Sequence, residues 1–337
     1  MRLLLDVRDL HITVRGLHAV RGVSFTVRAG EALAVVGESG AGKTLTARAV
    51  LGLLPAGAQV RGSVRFGGRE WVGAPQSAYR ELRGRRTAFV PQDALSVLSP
   101  VHTVGEQLAL AVRSVRRGIG RKAAFAAALA ALDRVGIADA GRRARAYPHE
   151  FSGGMRQRAV IAMAMINEPE LVFADEPTTA LDPTVQAQIL TLLGDIRKET
   201  GAALVLITHD LATVAGHADR VLVMYAGRPV ESGPVAEVFA APQAPYTAGL
   251  IASLPPARAA HTARAVGRRL PSIAGAPPSP SALPPGCAFA PRCPAADESC
   301  TKTPPEPVVA AAGRTVACHR RGELPVPLAQ LFEESAA

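Results

Sequence analysis

One short stretch constrains the possible folds of this 337-residue chain more than any other: residues 37–44, which read GESGAGKT. They fit the pattern G-x-x-x-x-G-K-[ST] of phosphate-binding loops. A run of apolar residues at 32–36 precedes the loop, and a helix-forming run at 43–54 follows it. In this setting the backbone N–H groups of a glycine-rich turn and the N-terminus of a helix face the same anion. The pattern therefore predicts a nucleotide site in an α/β domain.

Each residue of the loop has a predicted contact with a bound nucleotide. Lys43 would reach the β- and γ-phosphates, and the hydroxyl of Thr44 would bind Mg²⁺. The other members would place backbone N–H groups around the phosphates, and they are Gly37, Glu38, Ser39, Gly40, Ala41 and Gly42. In a chain of this length a chance match has a frequency of roughly one per cent. A nucleotide with Mg²⁺ is therefore the expected ligand.

As far as about residue 250, the chain alternates apolar runs with helix-forming stretches. The apolar runs end at Gly37, Glu176 and His209, and unbroken runs of this kind predict central strands covered on both faces. The helix-forming stretches include residues 103–115, 121–135, 153–166 and 184–199. The alternation predicts an α/β domain with a largely parallel sheet. No apolar run reaches the length of about 18 residues that predicts a membrane span.

Polar side chains follow two of the predicted strands. Asp175 and Glu176 end the run LVFADE, and His209 ends the run ALVLITH. Ligands of α/β sheets bind at the carboxyl ends of strands. Asp175 is suited to holding Mg²⁺ through water, and Glu176 to polarising a water that attacks the γ-phosphate. Taken alone, the two carboxylates fit a solvated pair equally well, and a lone histidine is more often structural.

The net charge of +10 favours polyanionic partners, which include nucleotide phosphates, an anionic membrane surface and nucleic acid. Much of the excess is arginine, as at residues 83–86 and 142–145. Solvated surface charge explains this excess at least as well. Nucleic acid is therefore not an expected partner.

All four cysteines lie between residues 287 and 318, and the first three belong to a stretch rich in proline, alanine, serine and glycine at residues 255–307. They are Cys287, Cys293, Cys300 and Cys318. Four thiolates converging from irregular chain suit a [4Fe–4S] cluster or a tetrahedral zinc ion. Zinc sites usually contain a pair of closely spaced cysteines, and this sequence has none, so an iron–sulfur cluster is expected before zinc. The remaining alternative is that the four cysteines bind no metal.

Residues 151–158, FSGGMRQR, resemble the LSGGQ signature of ABC ATPases, with Phe for Leu and Met for Gln. Ser152, Gly153 and Gly154 are predicted to open a helix, which would give the chain a second anion-binding helix end. In this family the signature of one subunit closes over the nucleotide held by the other. The resemblance therefore implies a dimer in which these three residues serve the partner's nucleotide.

Other landmarks of the ABC family occur in order along residues 1–254. Gln92, in FVPQD, resembles the glutamine that senses Mg²⁺ and the membrane partner, and residues 177–182 resemble the D-loop region. His209 then corresponds to the switch histidine. The resemblance implies a P-loop NTPase fold of the ABC nucleotide-binding type, with a mixed, largely parallel sheet and a helical subdomain at about 92–165. It also implies ATP hydrolysis by Glu176, His209 and Gln92, with Mg²⁺ held by Thr44, Gln92 and Asp175.

One landmark is missing, because the aromatic residue on which this family stacks adenine has no counterpart before the loop. The corresponding zone reads HITVRGLH, residues 11–18. Val14 or His18 would pack against the base instead.

The segments 223–233 and 245–255 are similar to the end of the cassette in oligopeptide and dipeptide permease ATPases, and the cysteine segment is similar to the extension of that subfamily. The resemblance implies a C-terminal extension at 255–337 that carries a [4Fe–4S] cluster. It also implies that the chain is bound peripherally to the cytoplasmic face of the membrane and drives the import of di- or oligopeptides. Nickel or another small solute is an alternative cargo.

The implied partners are two transmembrane permease subunits, a second homologous ATPase or a second copy, and indirectly an extracytoplasmic solute-binding protein. A soluble ABC ATPase that acts on nucleic acid or ribosomes is the alternative from another class. A redox-sensing role for the cysteine cluster is a third interpretation.

Overall fold

The computed structural model describes residues 2–179, 181–254, 271–311, 313–325, 328 and 330–333. The strands are β1 Leu3–Val14, β2 Leu17–Arg28, β3 Ala32–Val36, β4 Gln59–Phe66, β5 Arg69–Glu70, β6 Thr87–Val90, β7 Leu171–Asp175, β8 Ala203–Thr208, β9 Arg220–Tyr225, β10 Arg228–Pro234, β11 Val308–Ala311 and β12 Arg314–Val316. The helices are α1 Lys43–Val50, α2 Gln76–Tyr79, α3 Val104–Val115, α4 Arg121–Arg134, α5 Ala140–Arg143, α6 Gly153–Met165, α7 Pro183–Thr200, α8 Leu211–Val214, α9 Val235–Ala240, α10 Pro245–Ala252, α11 Glu298–Lys302 and α12 Gln330–Glu333. The predicted α/β class is confirmed.

The chain divides into two compact units. The first consists mainly of residues 73–207. Its strands β6, β7 and β8 pair in parallel, with Phe89 opposite Phe173 and Phe173 opposite Val205. Every residue of β7 is buried, which is the burial that an unbroken apolar run predicts for a central strand. Because the three strands run in parallel, their carboxyl ends lie at the same edge.

The second unit contains residues 5–26, 33–72 and those from 208 onward. Within it, β3 pairs with β9 in parallel, and β9, β10, β12 and β11 continue in antiparallel order. A separate antiparallel sheet has the order β2-β1-β4-β5. The phosphate loop follows β3, so a buried five-residue strand anchors its first residue.

The C-terminal segment, from residue 271 onward, contains helices and strands in addition to irregular chain. From residue 271 to 297 the described chain contains a single 3₁₀ turn, Ala290–Arg292, which agrees with its proline content. Beyond it, α11 forms and β12 adds to β10, with Val316 opposite Glu231. The start of the predicted extension, residues 255–270, lies outside the described residues, and the boundary at residue 254 stays a prediction. None of the helices in the described ranges is both long and apolar enough to cross a bilayer.

A buried ion pair between Arg314 and Glu231 connects β12 to β10. Arg314 Nη2 lies 2.6 Å from Glu231 Oε1, and the two side chains are 7% and 0% exposed. Glu231 also accepts hydrogen bonds from the backbone N–H groups of Gln243 and Ala244. Arg314→Met leaves this carboxylate buried without its cation, so we expect a loss of about 3 kcal/mol in unfolding free energy. Urea unfolding measures it.

The matched control is Arg142→Met, because Arg142 pairs with Asp139 at the surface, where the side chains are 71% and 58% exposed. Its expected cost is below about 0.5 kcal/mol. Equal losses in the two variants would show that burial of the Arg314 pair contributes nothing.

Candidate functional site

The phosphate loop is closed by hydrogen bonds from its own lysine. Lys43 Nζ donates to the backbone oxygens of Gly37, at 2.6 Å, and Glu38, at 3.1 Å. Lys43 is largely buried. Ser39 and Gly40 are exposed, so these two residues of the loop face solvent. Helix α1 begins inside the loop without a side-chain cap at its N-terminus. A buried cation and an uncapped helix end together fit an anionic ligand such as a polyphosphate.

Two glycines of the loop are required by close backbone approach. Gly37 has φ +149°, and a Cβ there would collide with the carbonyl oxygen of Met224. Gly42 has φ +91°, and its Cβ would lie 2.9 Å from the carbonyl oxygen of Ala19. The loop is thus packed against neighbouring backbone, which fixes the direction of its N–H groups.

Two side chains far along the sequence also hold the loop, and sequence reasoning missed both. Arg292 pairs with the carboxylate of Glu38, and this hydrogen-bonded pair raises the pKa of the guanidinium. The hydroxyl of Tyr246 accepts a hydrogen bond from the backbone N–H of Glu38 at 3.0 Å. Burial raises the pKa of Tyr246, so the hydroxyl stays protonated. The only local signal was that both residues lie in the segments that resemble the permease ATPase subfamily.

The carboxyl ends of β6 and β7 bring Gln92 and Glu176 into contact. Gln92 Nε2 donates to Glu176 Oε2 at 3.3 Å, and Thr179 Oγ1 donates to the same oxygen at 3.1 Å. Glu176 has φ +46°, an uncommon conformation for a residue with a side chain, and its N–H donates to Ile207 O at 2.8 Å. Asp175 is the last residue of β7 and is 5% exposed. This arrangement can hold a carboxylate in one orientation for proton transfer from water.

The signature residues form a helix start in the first unit, as the sequence predicts. Ser152 caps α6, and its Oγ accepts from the N–H of Met155 at 3.4 Å. Ser152 and Gly153 are exposed. A Cβ at Gly154 would lie 2.8 Å from Val185 Cγ1, so this glycine permits close packing of α6 on α7.

His209 and the candidate base-contacting residues lie in the second unit. His209 is exposed at the end of β8, next to Asp210, whose carboxylate caps α8. Val14 is half-buried at the end of β1. The Nδ1 atom of His18 makes a 3.1 Å hydrogen bond with Thr13 Oγ1, which lies in the same hairpin. The contacts of Val14 and His18 with a base stay predictions.

The predicted [4Fe–4S] cluster is wrong, and so is zinc as its alternative. Among the described residues, which include all four cysteines, no group of three or more His, Cys, Asp or Glu side chains could hold a metal ion. Instead, Cys287 and Cys293 pack against an apolar cluster that contains Tyr246 and Phe289. Burial raises the pKa of Cys293 to about 11 and that of Cys318 to about 12, and it also raises the pKa of Cys287. The thiols therefore act as small core side chains rather than as thiolate ligands.

These raised pKa values predict slow alkylation. At pH 8 a thiol with a pKa of about 11 has roughly one molecule in a thousand as thiolate, the reactive form. We expect Cys293 and Cys318 to react with iodoacetamide at least about tenfold more slowly in the folded protein than in denaturant, where the ordinary pKa of about 8.5 applies. The rate should rise as the pH approaches 11. Mass spectrometry of alkylated peptides gives the rates, and equal rates in the two states would contradict the burial of the thiols.

Two family models match the chain. One, described as ABC transporter, covers residues 20–179, and the other, described as the C-terminal region of oligopeptide/dipeptide transporters, covers residues 230–300. Both matches include parts of the site described above: the first covers the phosphate loop, Glu176 and the signature, and the second covers Tyr246 and Arg292.

Curated relatives align over most of the chain. The oligopeptide transport ATP-binding protein OppD of Mycobacterium tuberculosis is 51% identical over 321 residues, which are 94% of this chain and 52% of that protein. The chain thus spans about half the length of this relative. OppD of Salmonella typhimurium is 45% identical over 306 residues, which cover 90% of this chain and 89% of that protein.

Solved structures share the fold. The structure of cbiO1 from Clostridium perfringens, part of the ABC transporter complex cbiONQ, has a TM-score of 0.63 and 27% identity over 71% of this chain and 92% of that chain. A dimeric ATP-binding cassette in a post-hydrolysis state, bound to ADP and Pi, has a TM-score of 0.62 and 24% identity over 69% of this chain and 99% of its own. Because the identity to this cassette is only 24%, the similarity shows a shared fold and nothing more.

Proposed function

This chain belongs to the family of ABC transporter ATP-binding proteins, in its oligopeptide/dipeptide branch, and from that premise we propose that it is the ATP-hydrolysing subunit of a peptide importer. The observation that carries the proposal is the carboxylate of Glu176, held by Gln92 and Thr179 at the end of β7 in a chain that also has a closed phosphate loop. Relatives named as oligopeptide transport ATP-binding proteins support peptides over nickel or nucleic acid.

The phosphate loop binds the triphosphate of ATP. Lys43 exchanges its hydrogen bonds to loop carbonyls for bonds to phosphate oxygens, and the N-terminus of α1 adds its dipole. Mg²⁺, held by Thr44, Gln92 and Asp175, would neutralise phosphate charge when bound. Carboxylate, amide and hydroxyl oxygens are the ligands that this ion prefers, so the three residues fit it.

Glu176 then accepts a proton from the attacking water. Its carboxylate is fixed by Gln92 and Thr179, so the proton acceptor has one position when the water arrives. The proposed role of His209 is to contact the γ-phosphate and to help orient Glu176. Ser152 and Gly154 serve the nucleotide of a second ATPase subunit, which makes a dimer part of the reaction.

ATP binding and hydrolysis in the dimer change the conformation of two transmembrane permease subunits. An extracytoplasmic solute-binding protein delivers the peptide to them. The chain acts peripherally at the cytoplasmic face of the membrane. We assign residues 1–254 to the ATP-binding domain, with a helical subdomain at about 92–165, and residues 255–337 to the extension of the peptide-transport branch.

Affinity purification of the tagged chain from detergent-solubilised membranes tests this proposal. We expect two polytopic membrane proteins to copurify, and ATP hydrolysis by the complex in proteoliposomes to increase with the peptide-loaded binding protein. The Glu176→Gln variant of the complex is the control for hydrolysis by contaminants. Copurification with ribosomes or nucleic acid, or stimulation by nickel in place of peptides, would contradict peptide import.

A further inference from the structure

Arg292, in the C-terminal segment, holds the carboxylate of Glu38, the second residue of the phosphate loop. Arg292 Nη1 lies 2.6 Å from Glu38 Oε2, and Nη2 lies 2.9 Å from Oε1. The side chains are 6% and 26% exposed, so the pair is largely withdrawn from water. Two parallel bonds between a guanidinium and a carboxylate give one of the stronger and more directional ion pairs in proteins.

The guanidinium of Arg292 is fixed by other acceptors as well. Nε donates to Ala274 O at 2.8 Å, Nη2 to Gly275 O at 3.1 Å and Nη1 to Tyr225 Oη at 3.1 Å. The charge also lies over the rings of Tyr225 and Phe289, at 5.8 and 5.9 Å from the centroids. Arg292 is therefore held in position by the C-terminal segment and the aromatic cluster, and it presents a preorganised fork to the loop.

A carboxylate in this loop needs such a partner. The carbonyl oxygen of Glu38 accepts from Lys43 Nζ at 3.1 Å, so Glu38 belongs to the ring of atoms that surrounds the cation. Without a counter-charge, its carboxylate would repel the phosphates and compete with them for Lys43, since charges a few ångströms apart in a partly buried site are weakly screened. The bond from Glu38 N–H to Tyr246 fixes the backbone at the same residue.

We propose that Arg292 is a positioning residue for ATP binding. It neutralises the carboxylate of Glu38, so that this charge neither repels the triphosphate nor competes with it for Lys43. The C-terminal segment thereby sets the ATP affinity of the cassette. The proposal rests on the proposed function, because it takes ATP as the ligand of the loop.

The test compares the binding of a non-hydrolysable ATP analogue with Mg²⁺ to the full chain in four variants. Arg292→Gln leaves the Glu38 charge unpaired, and we expect its Kd to rise about tenfold. Glu38→Gln should change the Kd in the opposite direction, since an uncompensated guanidinium then faces the phosphates. The double variant should bind at least about fivefold more tightly than Arg292→Gln, because it removes the repelling charge. Arg320→Gln is the matched control, since Arg320 is in the same segment and pairs with Asp297 instead.

The positioning role predicts effects on KM, kcat and salt dependence that a purely structural role of Arg292 does not predict. For the positioning role, the KM for ATP of Arg292→Gln rises with its Kd while kcat changes less than about twofold. The ratio of the variant Kd to the wild-type Kd should also fall in 1 M salt, where the Debye length is about 3 Å. Should Arg292→Gln fail to fold by circular dichroism, Arg292→Lys is expected to bind more weakly than wild type by less than about threefold, since it keeps the charge but loses the bidentate geometry.

Three outcomes overturn the inference. The first is an Arg292→Gln affinity equal to that of Arg320→Gln. The second is a Glu38→Gln variant that loses affinity as Arg292→Gln does, since the pair would then be a mechanical clamp rather than a means of neutralisation. The third is a wild-type protein that binds no ATP, which overturns the proposed function as well. Either of the first two outcomes, with ATP still bound by the wild type, overturns this inference alone.

Discussion

Glu176→Gln is expected to lower kcat for ATP hydrolysis by at least about a hundredfold, with the Kd for ATP within about threefold of wild type. The amide oxygen of glutamine can accept the hydrogen bonds that Gln92 and Thr179 donate to Glu176 Oε2. The backbone bond to Ile207 O is also unaffected. Because the geometry is preserved, the loss reports the missing basicity of the carboxylate rather than a rearranged site.

Glu168→Gln is the matched control for this experiment. Glu168 lies in the same unit, is exposed, and has the same uncommon backbone conformation, with φ +52° against +46° for Glu176. We expect Glu168→Gln to hydrolyse ATP at the wild-type rate within about twofold. Full hydrolysis by Glu176→Gln, measured as phosphate release with binding determined in parallel, would remove Glu176 from the reaction.

Features that depend on neighbouring residues could be predicted from the sequence. The strand before the phosphate loop and the helix after it follow from an apolar run, from glycines and from a lysine, all within about twenty positions. The end of α1 shows the limit of this reasoning. The sequence predicts a helix as far as residue 54, but α1 ends at Val50, and Gly52 then takes φ +61°. A glycine that leaves the helical conformation terminates a helix, whatever the apolar residues beyond it.

The contacts that hold the site depend on tertiary structure and could not be read from spacing. Arg292 and Glu38 are 254 positions apart, and no periodicity relates a proline-rich segment to a loop near the N-terminus. The contact between Gln92 and Glu176 could be anticipated only in part, because parallel strands bring their carboxyl ends together but do not specify a hydrogen bond.

The cysteines show why a residue pattern can predict the wrong chemistry. Clustering and spacing indicate four converging ligands, but metal binding also requires deprotonated thiols and positions from which all of them reach one ion. Here Cys287 and Cys293 pack against the cluster that contains Phe289, and burial favours their protonated form. Burial is a property of the folded chain, so clustering and spacing alone favoured metal binding over packing, and that prediction was wrong.

Lys43→Met is expected to weaken ATP binding by about a hundredfold and to reduce hydrolysis in proportion at limiting ATP. The loss has two physical sources. The variant removes the cation that would face the phosphates. It also removes the two hydrogen bonds that Lys43 Nζ donates to the carbonyl oxygens of Gly37 and Glu38. Methionine has a similar length and no charge, so it fills most of the same space.

The two sources are separable by experiment. Loss of the loop bonds should lower the melting temperature of the nucleotide-free protein, whereas loss of the charge alone should leave it unchanged. Lys122→Met, at an exposed position near the start of α4, controls for the loss of a lysine charge and should bind ATP as wild type does. Calorimetric titration gives the affinities. Tight ATP binding by Lys43→Met would mean that residues 37–44 are not the nucleotide site, and the roles of Arg292 and Glu176 would lose their common basis.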